Sequence, residues 1–566
     1  MQVYEHEVLV VGSGLAGLRA AREAAEKYDV AVISRVHPVR SHSISAQGGI
    51  NAALKNHAEG KDDSWEKHAF DTIKGSDYLA DQDAAMIMAQ DAPACVYEME
   101  HWGTLFSRLP DGKIAQRPFG GAGFPRTCYA ADRTGHHLLH TLYEQSVKHR
   151  INVYEERLVT NIATDNNLCH GLVALNMITG ELEVYAAPVV IVATGGAGQI
   201  YSNSTNALIN TGSGTATAYR AGAQLEDMEF IQFHPTSLYG TNILISEAAR
   251  GEGGYLLNKN GERFMKKYTP QAMELGPRDI VARSIQTEID EGRGFPGDYV
   301  HLDLTHLGKE KIMELLPGIR ILAMDFAGVD PIHEPIPIQP GQHYTMGGIA
   351  TNVDGHTRVK GLLAAGEAAC VSVHGANRLG GNSLLDTLVF GKRAGREAIN
   401  YLSKEKPCPD RKVVEGLWEE EESRLKNFLT GKGSEDYREL RDKMKQTLTQ
   451  KVGIYRQENE LKEAVEILAD LRRRYPSVKI KNSCRQYNLE LINSLELEGM
   501  LNLAETVALG ALRRNESRGS HSRLDFPKRD DEKWLVHTMA DYTKEGPKLS
   551  DKEVTITKFI PQERKY

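Results

Sequence analysis

The sequence predicts an α/β fold, in which a parallel sheet covered by helices is interrupted by an inserted domain and followed by a helical domain and a small C-terminal domain. Three observations predict it. The chain opens with a βαβ pattern. Two further short apolar runs, far apart in the sequence, end in glycine turns of the same kind. Beyond residue 404 the composition shifts to charge-rich stretches with apolar residues at helical spacing.

Residues 7–11 form an apolar run followed by Gly12-Ser13-Gly14-Leu15-Ala16-Gly17, an Ala-rich helix to about Lys27 and a second strand at 30–34. Such alternation implies a parallel sheet. The spacing of Gly12, Gly14 and Gly17 between strand and helix marks a dinucleotide cradle. The first glycine permits the tight turn, the second lets the backbone approach a pyrophosphate, and the third lets helix and strand pack closely. The helix N-terminus then faces the phosphates. The second strand ends in Ser34-Arg35, where a ribose-binding Asp or Glu is usual, and this weakens a nicotinamide reading. Residues 189–193 run into Thr194-Gly195-Gly196, and 361–365 into Gly366-Glu367. Both turns place backbone beside a ligand at the carboxyl ends of strands. The sheet is therefore assembled from distant segments, and roughly 234–342 is an insertion. Helices are expected at 415–429, at 460–474 with Leu461, Val465 and Leu468 on one face, and at 489–512, with Pro476 ending the second. They read as an amphipathic bundle packed on the rest of the chain. The tail after Gly519 is polar and aromatic with few signals.

The bulk numbers narrow the function. At 566 residues the chain has room for several domains of ~100–200 residues. Its 68 basic and 76 acidic residues give a net charge of −8, which argues against nucleic acid as a partner. No apolar run, residues 186–193 included, approaches the ~20 residues a membrane helix needs. A first strand beginning by residue 7 leaves no room for a signal peptide, so a cytoplasmic chain is expected unless a presequence has been trimmed. The six cysteines (Cys95, Cys128, Cys169, Cys370, Cys408 and Cys484) make no CxxC pair. That speaks against a zinc ribbon or an iron–sulfur cluster, and no metal is expected in this chain.

The segment Arg40-Ser41-His42-Ser43, followed by Ser45-Ala46-Gln47-Gly48-Gly49-Ile50, resembles the flavin-linkage segment of succinate dehydrogenase and fumarate reductase flavoproteins. The resemblance continues through His234-Pro235-Thr236, Arg250-Gly251-Glu252-Gly253-Gly254 and Pro277-Arg278-Asp279. It goes on at His343-Tyr344-Thr345-Met346-Gly347-Gly348, through residues 374–383 (His-Gly-Ala-Asn-Arg-Leu-Gly-Gly-Asn-Ser), and at Glu516-Ser517-Arg518-Gly519 and Arg529-Asp530-Asp531. It covers nearly the whole chain in the family's order. It implies a Rossmann-like FAD-binding domain (1–233 and 343–403), an inserted α+β capping domain (234–342), a helical domain (404–518) and a C-terminal domain (519–566).

The resemblance also implies FAD joined covalently through its 8α-methyl group to His42. Around it stand Gly12, Gly14, Leu15, Ala16, Gly17, Ser34, Arg35, Ser41, Ser43, Gln47, Gly48, Gly49, Ser213, Glu367, Ser383 and Leu384. Two positions depart from the family pattern: Ser213 stands where Asp is usual, and Ser246 replaces a common threonine while keeping its hydroxyl. Removing two hydrogens from a saturated C–C bond yields weakly reducing electrons, for which a flavin of raised potential is the suitable acceptor. His234, Ser246, His343 and Arg378 are implied to hold the two carboxylates of succinate or fumarate, and a planar guanidinium suits a carboxylate bidentately. Arg278 corresponds to the proton-transfer residue, with Glu247 and Arg250 as its relay. Arginine is normally charged at all accessible pH, with a pKa above ~12, but a dry site rich in positive charge lowers it. Glu247 and Arg250, three apart, share a face if the segment is helical.

The implied partners are an iron–sulfur subunit, which must supply the clusters this chain lacks, and a quinone-reactive membrane anchor. The implied location is peripheral, on the cytoplasmic side of the membrane. L-aspartate oxidase is the nearest rival, against which stand His42 and Gly380-Gly381-Asn382-Ser383; a scaffold subunit without catalysis is a second. Gln47 resembles the residue common in succinate dehydrogenases, yet the physiological direction stays open.

Overall fold

The computed structural model describes residues 1–431 and 433–564. Its central sheet has five parallel strands in the order Leu362–Ala364, Val189–Val192, Val8–Val11, Val30–Ile33 and Asn152–Tyr154. The first four are buried throughout, as expected of a parallel sheet covered on both faces. Side chains alternate between the two faces, and the strands thereby divide two cores. Val8, Val10, Val32 and Ile191 pack with Leu15, Leu18, Leu138 and Leu385 of flanking helices. Leu9, Val11, Ile33 and Val192 pack on the other side with Leu172, Val184, Leu497 and Leu501.

A four-stranded sheet, ordered Gln2–Glu5, Leu182–Ala186, Leu168–Asn176 and Arg157–Asp165, lies in that second core. Its edge strand precedes the expected strand at 7–11 and was not read from the sequence. Gln2–Glu5 pairs in parallel with Leu182–Ala186 before the cradle strand starts. The segment is half-exposed with no apolar alternation, so its pairing is a tertiary effect.

A third sheet contains Ile231–Leu238, Ile336–Thr345, Val300–Asp303 and Tyr255–Leu257, around its own core of Leu238, Ile245, Val281, Leu302 and Ile338. Helix Arg278–Asp290 packs on it. The pairing of Ile231–Leu238 with Ile336–Thr345 shifts register between Gln232 and Phe233 and between His234 and Ser237. Pro235, with no N–H to give to a ladder, sits in that irregular stretch.

The C-terminal helices are Arg411–Thr430, Tyr437–Lys451, Glu458–Arg474 and Leu489–Arg513. Three were expected and Tyr437–Lys451 was not. The last is no amphipathic surface helix: it is buried nearly all round, between the outer helices and the sheets. The tail, featureless in sequence, forms the hairpin Val536–Asp541 and Lys548–Glu553, which joins Leu225–Glu226, Gly348–Ala350 and Ala369–Cys370 in a five-stranded sheet. All six cysteines are free, four buried and Cys408 and Cys484 exposed. No helix among the described residues is long and apolar enough to cross a membrane.

Candidate active site

One cavity of about 600 Å³ runs from the glycine turn to the third sheet. At one end, Gly12 has φ +105°, and a Cβ there would lie 2.3 Å from the Ala193 carbonyl oxygen. A Cβ at Gly17 would lie 1.9 Å from the Gly12 carbonyl oxygen, so this glycine serves helix packing and does not face the cavity. At Gly14 the nearest atom is the Ser43 hydroxyl at 3.2 Å, which leaves the backbone open toward a ligand. Leu15 and Ala16 start the helix whose N-terminus points there. The hydroxyls of Ser13 and Ser34 are 2.6 Å apart, and Ser41 lies 3.1 Å from Ser13. Arg35 lines the cavity but its guanidinium pairs with Glu496 of the long helix at 2.5 Å. Ser213 and Ser383 each lie in the first turn of a helix facing the cavity, and Leu384 follows Ser383.

His42 is half-buried, yet the protein around it pushes its pKa down to about 4 by desolvation. Its Nδ1 accepts the amide N–H of Ala207 at 3.3 Å. Ser43 accepts the Leu15 amide at 3.3 Å. Gln47 Oε1 and Thr194 Oγ1 are buried without hydrogen-bond partners, acceptor and donor groups left for a ligand. Gly48 is pressed by Phe119, and Gly49 at φ +137° lies against the Cys128 carbonyl. Glu367 accepts the Thr345 amide, and burial raises its pKa to about 7. Open cradle glycines, helix N-termini and orphaned polar atoms along one cavity fit FAD.

At the other end His234 and His343 come from paired strands, with ring centroids 4.9 Å apart. Burial and then the Arg278 charge hold both imidazoles well below their ordinary pKa, so both are neutral. Thr236 N–H fixes His234 at Nδ1, and the Thr205 hydroxyl lies 2.7 Å from Nδ1 of His343. Ser246 lines the same wall. Arg278 donates through Nε to Glu247 at 2.7 Å, and Arg250 lies 3.8 Å from the same carboxylate, behind the cavity wall. Glu247 precedes the short helix Ala248–Gly251, so the expected helical face is real. Burial raises the Glu247 pKa, but Arg278 and Arg250 outweigh it and leave the carboxyl ionised.

Arg378 is the unusual member. Burial first, and Arg278 second, depress its pKa to about 9. It lies over the Tyr344 ring at 4.4 Å, its Nε has no partner, and it makes no ion pair among the described residues. A buried guanidinium with no ion pair is an uncompensated charge, which is costly to hold in a dry site. The structure therefore gathers every expected site residue around one cavity, except Gly17 and Arg250, which stand behind its lining. Sequence reasoning missed Gln232, Thr205, Tyr344 and Phe119. For Gln232 the sequence offered no signal: it stands two residues before His234, but the strand is irregular between Gln232 and Phe233, so alternation does not fix its face.

Comparison with known proteins decides the family. Residues 7–384 match the FAD binding domain model and residues 441–566 the fumarate reductase flavoprotein C-terminal model. The chain is 45% identical to a succinate dehydrogenase flavoprotein subunit of Rickettsia bellii, over 98% of this chain and 96% of that protein. The chain belongs to the succinate dehydrogenase and fumarate reductase flavoprotein family. It is also 45% identical to a fumarate reductase flavoprotein subunit of Mycobacterium tuberculosis, over 99% of each. A mutated FrdA chain of E. coli quinol fumarate reductase superposes with a TM-score of 0.96 at 41% identity, covering 100% of this chain and 99% of that one. A chain of the Mycobacterium smegmatis Sdh1 complex gives 0.86 at 35%, covering 100% and 96%. The α/β fold with a C-terminal helical domain is thus the family's.

Proposed function

We propose that this chain interconverts succinate and fumarate, with FAD held covalently by His42 and electrons passing to an iron–sulfur partner subunit. The observation that carries it is Arg378: a buried cation with no ion pair among the described residues, beside Arg278, His234, His343 and Ser246, in one cavity with a dinucleotide cradle. A four-carbon dicarboxylate brings two anions to that group. Arg378 clamps one carboxylate, neutral His234 and His343 with Ser246 hold the other, and the ethylene unit lies between Arg278 and the far end of the cavity. FAD bound there supplies a two-electron acceptor for the hydride of one methylene carbon. Arg278 first gives a guanidinium proton to Glu247 and, as the neutral base, takes the proton of the adjacent carbon; in the reverse direction the charged Arg278 gives its proton to that carbon and recovers one from Glu247. Glu247, 2.7 Å from Nε of Arg278 and 3.8 Å from Arg250, passes the proton it receives onward.

The His42 linkage has its own support. Nδ1 accepts the Ala207 amide, so in the neutral ring Nε2 carries the proton and is the nitrogen left to attach, giving up that proton as its bond to the flavin forms. The six scattered cysteines leave cluster ligation to a partner, and a membrane anchor carrying quinone completes the assembly, with this chain peripheral on the cytoplasmic side. The capping and flavin segments are proposed at the boundaries given above. The test is succinate-dependent dye reduction by the flavin-loaded protein. A folded protein that holds FAD but neither oxidises succinate nor reduces fumarate refutes the assignment. For the linkage, flavin should stay with the polypeptide after acid precipitation, and His42→Ala should release it from a folded chain.

A further inference from the structure

The side-chain oxygen of Gln232 lies between the two active-site arginines, 3.1 Å from Nη1 of Arg278 and 3.1 Å from Nη2 of Arg378. Guanidinium nitrogens only donate, so the atom facing them is the amide oxygen and the NH2 group points away. That NH2 donates to Oδ1 of Asn377 at 3.0 Å and to the Arg378 carbonyl at 2.8 Å. Asn377 is thereby oriented in turn, and its own NH2 donates to Oδ1 of Asp279 and to the Gly75 carbonyl, each at 3.2 Å. Asp279 is a pure acceptor, and its other oxygen receives Arg283 at 3.0 Å and Arg564 of the C-terminal tail at 2.8 Å. The inner links are almost wholly out of solvent: Gln232 is 0%, Asn377 2% and Asp279 4% exposed.

Every amide in this string has its polarity dictated from both ends. A carboxylate closes one end and two guanidiniums the other. Flipping either amide would set donor against donor in a dry site, where an unmade hydrogen bond costs most. The function of the string follows from the charges it holds. Arg278 and Arg378 repel one another, and among the described residues Arg278 pairs with Glu247 whereas Arg378 has no ion-pair partner. Gln232 Oε1 is the acceptor they share, so its position sets their separation. Both must be placed to match one substrate, and a misplacement of about 1 Å at such a site can cost on the order of a hundredfold in rate.

We propose that Gln232 is a positioning residue for the arginine pair, and that Asp279 holds it in place through Asn377. The inference rests on the proposed roles of Arg278 and Arg378. It brings the tail into the site as well, since Arg564 braces the outer end of the string while also pairing with Asp77.

A double-mutant cycle tests it in the flavin-loaded protein: Gln232→Met, Asp279→Ala and the two combined, with turnover per bound flavin and malonate affinity measured for each. The string predicts that each single change lowers turnover at least tenfold and weakens malonate binding. The double variant should be no worse than the poorer single one, because both cut the same string. Losses that multiply in the double variant would overturn the proposal, since Asp279 would then act on its own. So would an Asp279→Ala protein of lowered thermal midpoint but normal turnover and malonate affinity, which is what a structural ion pair gives. Should Asp279→Ala not accumulate as folded flavoprotein, Asn377→Ala cuts the string one link further in and replaces it in the cycle. Arg278→Gln is the control: near-native turnover there would sink the role of Arg278, whereas a collapse there beside an unaffected Gln232→Met would sink only the string.

Discussion

At the scale of single residues, the two arginines divide the work between binding and chemistry, and the division is measurable. Arg278 contacts the Glu247 relay, so Arg278→Gln should collapse turnover in both directions, since one microscopic path serves both. Malonate affinity should change far less, because interactions made mainly in the transition state appear in kcat. Glu247→Gln should also slow turnover, with the flavin spectrum intact. A structural ion network would instead lower stability and leave turnover per flavin normal. Arg378 carries the opposite signature. Binding of a dianion needs its protonated form, and its pKa stands at about 9. Between the second pKa of malonate and about 9, malonate affinity should therefore be flat, and it should fall as pH rises further, up to tenfold per unit. Arg378→Ala should remove this limb and cost ~3–5 kcal/mol of malonate binding, the usual loss when a buried charge pair is broken. Unchanged malonate affinity in the folded variant would take Arg378 out of the clamp. The sequence pointed to both arginines through family motifs, but not to Gln232, because a glutamine two positions before a histidine carries no chemistry until its neighbours are seen.

At the scale of elements, legibility followed apolar content. Strands of the parallel sheet read clearly because burial on both faces leaves unbroken apolar runs. The hairpin Val536–Asp541 and Lys548–Glu553 did not, since its second strand is mostly polar and exposed. What docks that hairpin is charge. His537 is fully buried, with Nδ1 2.7 Å from Asp227 and Nε2 3.2 Å from Asp81, while Lys552 lies 3.1 Å from Glu226. Burial alone would lower the His537 pKa, but Asp227, Asp81 and Glu226 outweigh it and raise it to about 10 from 6.5. The sign is that of a group protonated more tightly in the folded state. Its contribution is full below pH 6.5 and is lost as pH rises through about 10. Thermal stability should thus decline over that alkaline window, and His537→Gln should flatten the decline while lowering stability at neutral pH. An alkaline decline of the same size in His537→Gln would show that another group governs it.

At the scale of the whole molecule, the cavity is walled by segments that are remote in sequence: the glycine turn, the strands bearing His234 and His343, helix Arg278–Asp290 and the loop bearing Arg378. The βαβ opening and the distant glycine turns let the assembly of the sheet from separate pieces be read in advance. How the third sheet meets it had no sequence signal, because that contact rests on side chains such as Gln232 and Asn377 that bond across segments. Without ligand, this junction holds two buried guanidiniums of like charge. Arg278 is paired with Glu247 and Arg378 with no carboxylate among the described residues, so the cost of burying Arg378 is offset only when an anion enters. Malonate should therefore stabilise the fold itself. At a hundred times its dissociation constant the gain is ~2.7 kcal/mol by mass action. Unfolding entropy of ~2.1 cal/mol/K per residue converts this to a thermal midpoint raised by about 2 °C if the chain unfolds as one unit. In Arg378→Ala the rise should vanish at the same malonate concentration. The unliganded midpoint should not fall as it does for an ordinary lost ion pair, because removing Arg378 also removes its repulsion with Arg278. Flavin content should be unchanged, the cradle at Gly12 and Gly14 being untouched. A variant that loses several degrees without ligand, and still gains the full shift with malonate, would show that Arg378 braces the fold and that the dianion is held elsewhere.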